Sequence, residues 1–219
     1  MPLKYAYHPG NVAHSSAIEV AQTMEPAAKS LGIELVPLQG ATSCGAGIIR
    51  QASRRLQLTL NARTFAMAEE AGLDIITPCA ATAGNLHEDL HTLKSDPNLL
   101  GEINDILERT CGRRFNGGTN VHHILHVIVD EIGLDKLELA VLNPFELNAA
   151  GFYGPNIQQE GACGNDDVHD PSYLEQVINA IGGNPINWES RTQSVGVPGL
   201  FSEEPPVLRQ AAAGLSAAP

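Results

Sequence analysis

Apolar and polar positions along the chain fall into short runs separated by longer helical stripes. Residues 3–7 read as a short strand closed by His8-Pro9-Gly10. Behind it Ile18, Val20, Ala21, Met24 and Ala28 recur at helical spacing until Gly32. Residues 33–36 predict a second strand and 40–47 a loop of small residues. A long helix is predicted over about 48–71, stopped by Gly72, and 74–77 form a third strand with Pro78 and Cys79 where it leaves the sheet. Strands alternating with helices at this interval predict an α/β fold: a small parallel sheet with helical crossovers, Rossmann-like in plan. Loops 8–11, 40–47 and 78–83 then meet at the edge of the sheet beyond the strand ends, where chemistry is expected.

The middle of the chain reads as helical. One helix covers about 83–94, and a second opens at Asp96-Pro97 and runs to about 110. A third is predicted over 121–132, where Val121, Ile124, Leu125, Ile128, Val129 and Ile132 form a core-facing stripe that Gly133 stops. From Leu137 the pattern restarts on a smaller scale. An apolar segment runs to Leu142, a stretch rich in Gly, Asn and Pro covers 148–156, and a helix of about 172–181 follows Asp170-Pro171. Gly182-Gly183 ends that helix, Ile186-Asn187-Trp188 is a candidate strand, 194–199 is again a small-residue loop, and 211–219 are expected to fray. The order echoes the first part. It predicts a degenerate two-fold repeat, with a first domain over 1–145 and a second copy plus tail over 146–219 that stops early.

Composition narrows the chemistry. Thirteen basic against 25 acidic residues in 219 leave a formal charge of −12, which argues against nucleic acid and against an anionic membrane surface as partners. Apolar runs such as Ile75-Ile76 or Val127-Ile128-Val129 fall far short of the roughly 20 residues that span a bilayer. The first ten residues lack the apolar centre of a signal peptide, so a reduced cytoplasmic compartment is the expectation. The four cysteines, Cys44, Cys79, Cys111 and Cys163, are too few and scattered for a disulfide scaffold, and none forms a Cys-x-x-Cys pair.

His87-Glu88-Asp89-Leu90-His91 satisfies the pattern of zinc proteases. A charged Asp89 stands between the histidines and no third ligand follows at protease spacing, so a solvated surface helix is the expectation. His122 and His126 stand four apart, a spacing compatible with a shared metal, but imidazoles along the rim of a half-buried helix are the simpler reading. Cys44 and Cys79 each lie in a small-residue loop before a helix, where backbone amides and the helix dipole favour a thiolate able to hold iron or zinc or to act as a nucleophile. Two buried cysteines acting as small apolar residues explain the same pattern. Cys111 ends a helix and Cys163 lies in Gly161-Ala162-Cys163-Gly164; both read as structural.

Three motifs stand at the strand ends: Tyr7-His8-Pro9-Gly10-Asn11, Ser43-Cys44-Gly45-Ala46-Gly47 and Pro78-Cys79-Ala80-Ala81-Thr82. Gaps of 31 residues separate Asn11 from Ser43 and 34 separate Cys44 from Cys79. In order and spacing they resemble the CCG (cysteine-rich) domain family, which includes the B subunit of heterodisulfide reductase and the related subunit of the unusual succinate dehydrogenases of archaea and cyanobacteria. Members carry Gly-Cys, then Cys-Cys-Gly, then Cys-x-x-Cys. The stretch Gly117-Gly118-Thr119-Asn120-Val121-His122-His123-Ile124-Leu125 resembles the family's link between its motif sets, with His123 at the family's histidine. In the second part, Phe152-Tyr153-Gly154-Pro155 resembles Tyr-Gly-Cys, residues 166–182 resemble the acidic loop and helix, and Arg191-Thr192-Gln193-Ser194-Val195-Gly196 stands where Cys-Cys-Gly belongs.

The departures matter as much. Of the five cysteine positions in the first set only Cys44 and Cys79 remain; Asn11, Ser43 and Thr82 replace the others. In the second set Pro155, Ser194 and Val195 replace all three, and the final Cys-x-x-Cys is not reached. Family members hold non-cubane iron–sulfur clusters there, or a zinc. The resemblance therefore implies an empty second site, and either no cofactor or a residual iron–sulfur cluster or zinc at the first. Asn11, Ser43 and Thr82 offer hard oxygen donors in place of sulfur. The implied role is an accessory, non-catalytic subunit of a heterodisulfide-reductase-like or succinate-dehydrogenase-like electron-transfer complex. It would dock an iron–sulfur, flavoprotein or sister CCG subunit in the cytoplasm, and reach the inner face of the membrane only through such partners. The alternative is an active redox subunit with a residual iron–sulfur, zinc or thiol centre at Cys44 and Cys79. A free-standing thiol enzyme or small-molecule binder is a third class.

Overall fold

The computed structural model describes residues 2–11, 13, 16–159, 161–162, 164–196 and 204–216. They form two compact units, Met1–Ile124 and Leu125–Pro219.

The first unit is built on a four-stranded parallel sheet in the order β2-β1-β3-β4. Strand β1 (Leu3–Tyr7) crosses through α1 (Ile18–Ser30) to β2 (Ile33–Pro37) on one side. It pairs on its other side with β3 (Ile75–Thr77), placing Ala6 opposite Ile75 and Tyr7 opposite Ile76. Between β2 and β3 run α2 (Ile48–Ala52) and α3 (Arg54–Glu70). Between β3 and β4 (Val121–His123) run α4 (Ala80–Ser95) and α5 (Pro97–Cys111). The core joins Ala6 and Ile75 of the sheet to Phe65, Leu86, Leu93, Ile103, Leu107 and Phe115. Each such Leu, Ile or Phe contributes about 1.5–3 kcal/mol relative to exposure. The chain leaves β1 and β3 as neighbours and turns away in opposite directions, which makes the edge beyond their C-terminal ends the topological switch point of the sheet.

Local chemistry sets several boundaries. The Asp96 side chain accepts from the N–H groups of Asn98 and Leu99 at 3.0 Å each, with Pro97 in the first turn, as the sequence predicts. The single helix expected over 48–71 is instead two. Ser53 is extended, and its hydroxyl accepts from Leu56 N at 3.2 Å, capping a new helix in mid-run.

A larger difference falls at 121–123, predicted as the first turn of a helix but forming β4. Ile75, Ile76 and Thr77 of β3 face Val121, His122 and His123, and Ile75 N donates to Asn120 O at 2.9 Å. Pairing with the open edge of β3 outweighs the helical stripe, which resumes as a turn of α-helix, α6 (Ile124–His126), and a π-helical segment (Val127–Ile132). His122 and His126 consequently do not share a helical face.

In the second unit the predicted apolar segment is the helix α7 (Leu134–Ala140), and the strands lie elsewhere. Strand β5 (Asn148–Ala150) pairs in parallel with β6 (Asn184–Ile186), joined through α8 (Tyr173–Ala180). Strand β6 therefore starts two residues before the expected segment. The tail expected to fray from 211 is helical as far as Ser216, in α9 (Glu204–Ser216). Among the described residues no helix is long and apolar enough to cross a membrane.

Candidate functional site

The edge beyond β1 and β3 gathers residues of the first three motifs. Cys44 is fully buried in the loop after β2. Its Sγ accepts from Asn11 Nδ2 at 3.3 Å and from Thr82 Oγ1 at 3.5 Å. Asn11 lies in the loop after β1 and Thr82 in the first turn of α4. Asn11 Oδ1 in turn accepts from Ser43 Oγ at 2.9 Å, and Ser43 Oγ accepts from Gly45 N at 3.1 Å. Four of the five candidate positions thus form one hydrogen-bonded chain centred on a sulfur. The fifth, Cys79, is half-buried at the cap of α4 and packs against Gly10.

His123 acts on the loop rather than inside it. Its Nε2 donates to the carbonyl of Pro78 at 3.2 Å, bracing the residue before Cys79. His8 does the same for the Cys44 loop. Nε2 donates to Thr42 O at 3.0 Å while Nδ1 accepts from Gly10 N at 3.1 Å, which fixes the neutral imidazole with its proton on Nε2. Burial holds this imidazole below the ordinary histidine range, and its backbone hydrogen bonds offset part of that shift.

A second polar layer, which no sequence motif marks, lies beneath Cys44. The Cys44 carbonyl accepts from Asn61 Nδ2 at 2.9 Å and from Asn85 Nδ2 at 2.6 Å. Asn85 Oδ1 accepts from Gln57 Nε2 at 2.7 Å, and Asn61 Nδ2 also donates to Asp89 Oδ2. Arg54 pairs with the far oxygen of Asp89. Gln57, Asn61, Asn85 and Asp89 are all buried. Asn85 and Asp89 stand four apart on α4, beside the core residues Leu86 and Leu90, a spacing that marks a buried polar stripe.

This arrangement corrects the expectation for His87-Glu88-Asp89-Leu90-His91. Asp89 has no exposed surface, so the helix is not solvated there. Burial pushes its carboxyl up, against the pull of Asn61 and Arg54. Glu88 is held by Arg50 through two bonds of 2.7 Å, and this guanidinium keeps its carboxyl below the usual range. A glutamate committed to two arginines is not a free base for water. Among the described residues no group of three or more His, Cys, Asp or Glu is arranged to hold a metal ion.

Cys111 is exposed at the end of α5, donating to Leu107 O at 3.2 Å, and Cys163 lies outside the described residues. In the second unit, Ser194 Oγ accepts from Gly196 N at 3.1 Å, the same local bond that Ser43 makes to Gly45, and both glycines have left-handed φ, +76° and +74°. Pro155 follows shortly after Tyr153, whose backbone N–H donates to Arg191 O at 2.8 Å. Tyr153 and Arg191 thus bring together the two stretches that carry Pro155 and Ser194-Val195. Burial and Glu175 push the Tyr153 phenol far above its ordinary value.

Comparison with known proteins places these features. Residues 5–86 match the model of the cysteine-rich domain, CCG. The chain is 26% identical over 173 residues to the B subunit of the ferredoxin/F(420)H(2)-dependent CoB-CoM heterodisulfide reductase of Methanosarcina acetivorans, covering 78% of this chain and 57% of that protein. It is 26% identical over 211 residues to the 8-methylmenaquinol:fumarate reductase membrane anchor subunit of Wolinella succinogenes, covering 95% of this chain and 72% of that protein. A protein of Archaeoglobus profundus described as like the B subunit of heterodisulfide reductase is 25% identical over 199 residues, 85% of this chain and 64% of its own length. The chain thus spans little more than half of the first of these relatives. A crystal structure of a hypothetical protein from Helicobacter pylori shares the fold, with a TM-score of 0.69 and 14% identity over 97% of this chain and 38% of that one.

Proposed function

From a chain whose residues 5–86 carry the cysteine-rich (CCG) domain, we propose a subunit of a heterodisulfide-reductase-like or succinate-dehydrogenase-like electron-transfer complex in which cluster chemistry is lost or reduced. Its task is to dock an iron–sulfur, flavoprotein or sister CCG subunit. The relatives support the first half of this reading: their names describe subunits of a heterodisulfide reductase and of a fumarate reductase.

The observation that carries the second half is the shell around Cys44. An iron–sulfur cluster needs several thiolates with lone pairs free for iron. Asn11, Ser43 and Thr82 bring an amide and two hydroxyls to three of the five positions, and two of them direct donors at the buried Cys44 sulfur. This donor set does not fit a four-iron cluster. At the second set, Pro155 and Val195 have no donor atom for a metal, and Ser194 spends its hydroxyl oxygen on Gly196 N. We read that site as empty.

Docking draws support from the second unit. Leu139 is 87% and Leu142 91% exposed, and Phe145, Leu147 and Phe152 are also open to solvent, an apolar series that a partner surface would cover. Any membrane association runs through such partners, in the cytoplasm.

Native anaerobic purification, with metal analysis and identification of the chains that come with it, tests the reading. Expected are co-purifying redox subunits and less than one iron on this chain. A full cluster on the isolated chain, with a low-temperature paramagnetic signal, overturns the loss of chemistry. Iron or zinc lost on replacing Cys44 or Cys79 by serine would establish instead an active residual centre.

A further inference from the structure

We propose that Asn11, Ser43 and Thr82 form a metal-free lock that ties the three strand-end loops together around Cys44, taking over the joining role that thiolate–metal bonds play in a cluster site. The inference rests on the reading that the cluster is absent and adds to it: the substituted positions keep a structural task.

Each loop contributes one hand to the lock. The loop after β1 supplies the Asn11 amide, which uses both ends, donating through Nδ2 to Cys44 Sγ at 3.3 Å and accepting through Oδ1 from Ser43 Oγ at 2.9 Å. The segment after β3 supplies the Thr82 hydroxyl, at 3.5 Å from the same sulfur. The loop after β2 supplies Ser43 and Cys44 and closes on itself through Gly45 N. Cys44 is thereby an acceptor for two elements 33 and 38 residues away in sequence. An amide and a hydroxyl are the right replacements for this purpose. The thiol sulfur is a weak acceptor, and alanine at 11 together with valine at 82 would take away both of these donors.

The floor of the site completes the same design. Asn61 and Asn85 hold the Cys44 carbonyl, and their partners Asp89, Arg54 and Gln57 tie that carbonyl to α3 and α4. The loop is therefore gripped from both sides, at its sulfur and at its backbone. The pairing is not complete, since Asn61 Oδ1 and Thr42 Oγ1 are buried without a hydrogen-bond partner, and the grip rests on the bonds to the Cys44 sulfur and carbonyl.

The test is a set of double-mutant cycles on the full chain, read by thermal unfolding with and without a metal chelator. Chelation is expected to leave the midpoint unchanged. Asn11→Ala and Thr82→Val are each expected to lower it by about 2–6 °C, and to lose most of that effect on a Cys44→Ala background. If Cys44→Ala does not fold, Cys44→Ser keeps an acceptor and should preserve the effect of Asn11→Ala. Effects that simply add, or single variants that melt like the parent, overturn the lock while leaving the loss of the cluster standing. A midpoint that falls on chelation, with stoichiometric iron or zinc released, overturns the underlying reading instead.

Discussion

Gly10 and Cys79 meet with no room for a side chain between them: a Cβ on Gly10 would stand 2.5 Å from Cys79 Cβ, and φ at Gly10 is +88°. The loops leaving β1 and β3 are thus held together at a point that tolerates glycine alone, on both steric and conformational grounds. Gly10→Ala should destabilise the chain by about 2–4 kcal/mol, the left-handed backbone and the clash with Cys79 acting together. In urea the midpoint should fall with the slope unchanged; an unchanged midpoint would show that the two loops separate at little cost.

Restoring thiols at the three replaced positions asks whether the scaffold still has the ligand geometry. Asn11→Cys, Ser43→Cys and Thr82→Cys in one chain, added to Cys44 and Cys79, should take up iron on anaerobic reconstitution and gain a visible charge-transfer band, while the parent treated alike takes up little. The variant's failure to bind iron while remaining folded would mean that the loops have drifted from a cluster-binding arrangement.

Arg54 and Asp89 allow the buried layer to be weighed. Asp89 has no exposed surface and Arg54 keeps about a third of its own, so removing the arginine strands a carboxylate that solvent cannot reach. Arg54→Met is expected to cost about 2–4 kcal/mol. Adding Asp89→Asn should recover part of the loss, because the amide carries no charge to strand. Equal stability of the single and double variants, by denaturant unfolding, would refute this account.

How much of this is legible in the sequence follows from where the information sits. Strands β1 to β3, the Asp96-Pro97 helix start and the meeting of three loops follow from periodicity, capping residues and motif spacing, all of them local. Strand β4 does not, because Val121 to His123 belong to an apolar stripe at helical spacing and become a strand only by finding the edge of β3, a partner more than forty residues away. The same holds inside the site. Asn11, Ser43, Cys44 and Thr82 are visible as positions in a pattern, but the layer of Gln57, Asn61, Asn85 and Asp89 is not, since polar residues on helices look solvated until burial is known. Asp89 shows the cost of that default: its charge suggests the surface, and it lies in the interior.

The exposed series in the second unit yields a separate expectation. Leu142 and Leu147 lie outside the buried core, so Leu142→Asp with Leu147→Asp should leave the melting temperature of the isolated chain within about 2 °C while abolishing recovery of partner subunits from anaerobic extracts. Recovery at the parental level would place the partner contact elsewhere on the chain.

The pH dependence of stability tests buried His8 and half-buried His87 with a definite sign. Burial lowers both His8 and His87 from their ordinary value of 6.5, and for His87 the nearby His91, His122 and Lys94 add to the shift. As the pH drops below that value the unfolded chain takes up protons that the folded histidines refuse. The unfolded state then binds more protons, and stability falls with decreasing pH until the folded groups titrate as well. Asp89 works in the opposite sense at lower pH, since its raised folded value makes stability decline as the pH climbs through it. Subtracting a variant from the parent removes that background. His8→Gln keeps a neutral donor for Thr42 O and eliminates one of the two refused protons. It should therefore flatten the slope of unfolding free energy between about pH 7 and pH 5 by up to about 1.4 kcal/mol per pH unit, leaving the share owed to His87. A slope identical to the parent's would mean that His8 takes its proton in the folded chain as readily as in the unfolded one, and that burial does not hold the neutral form.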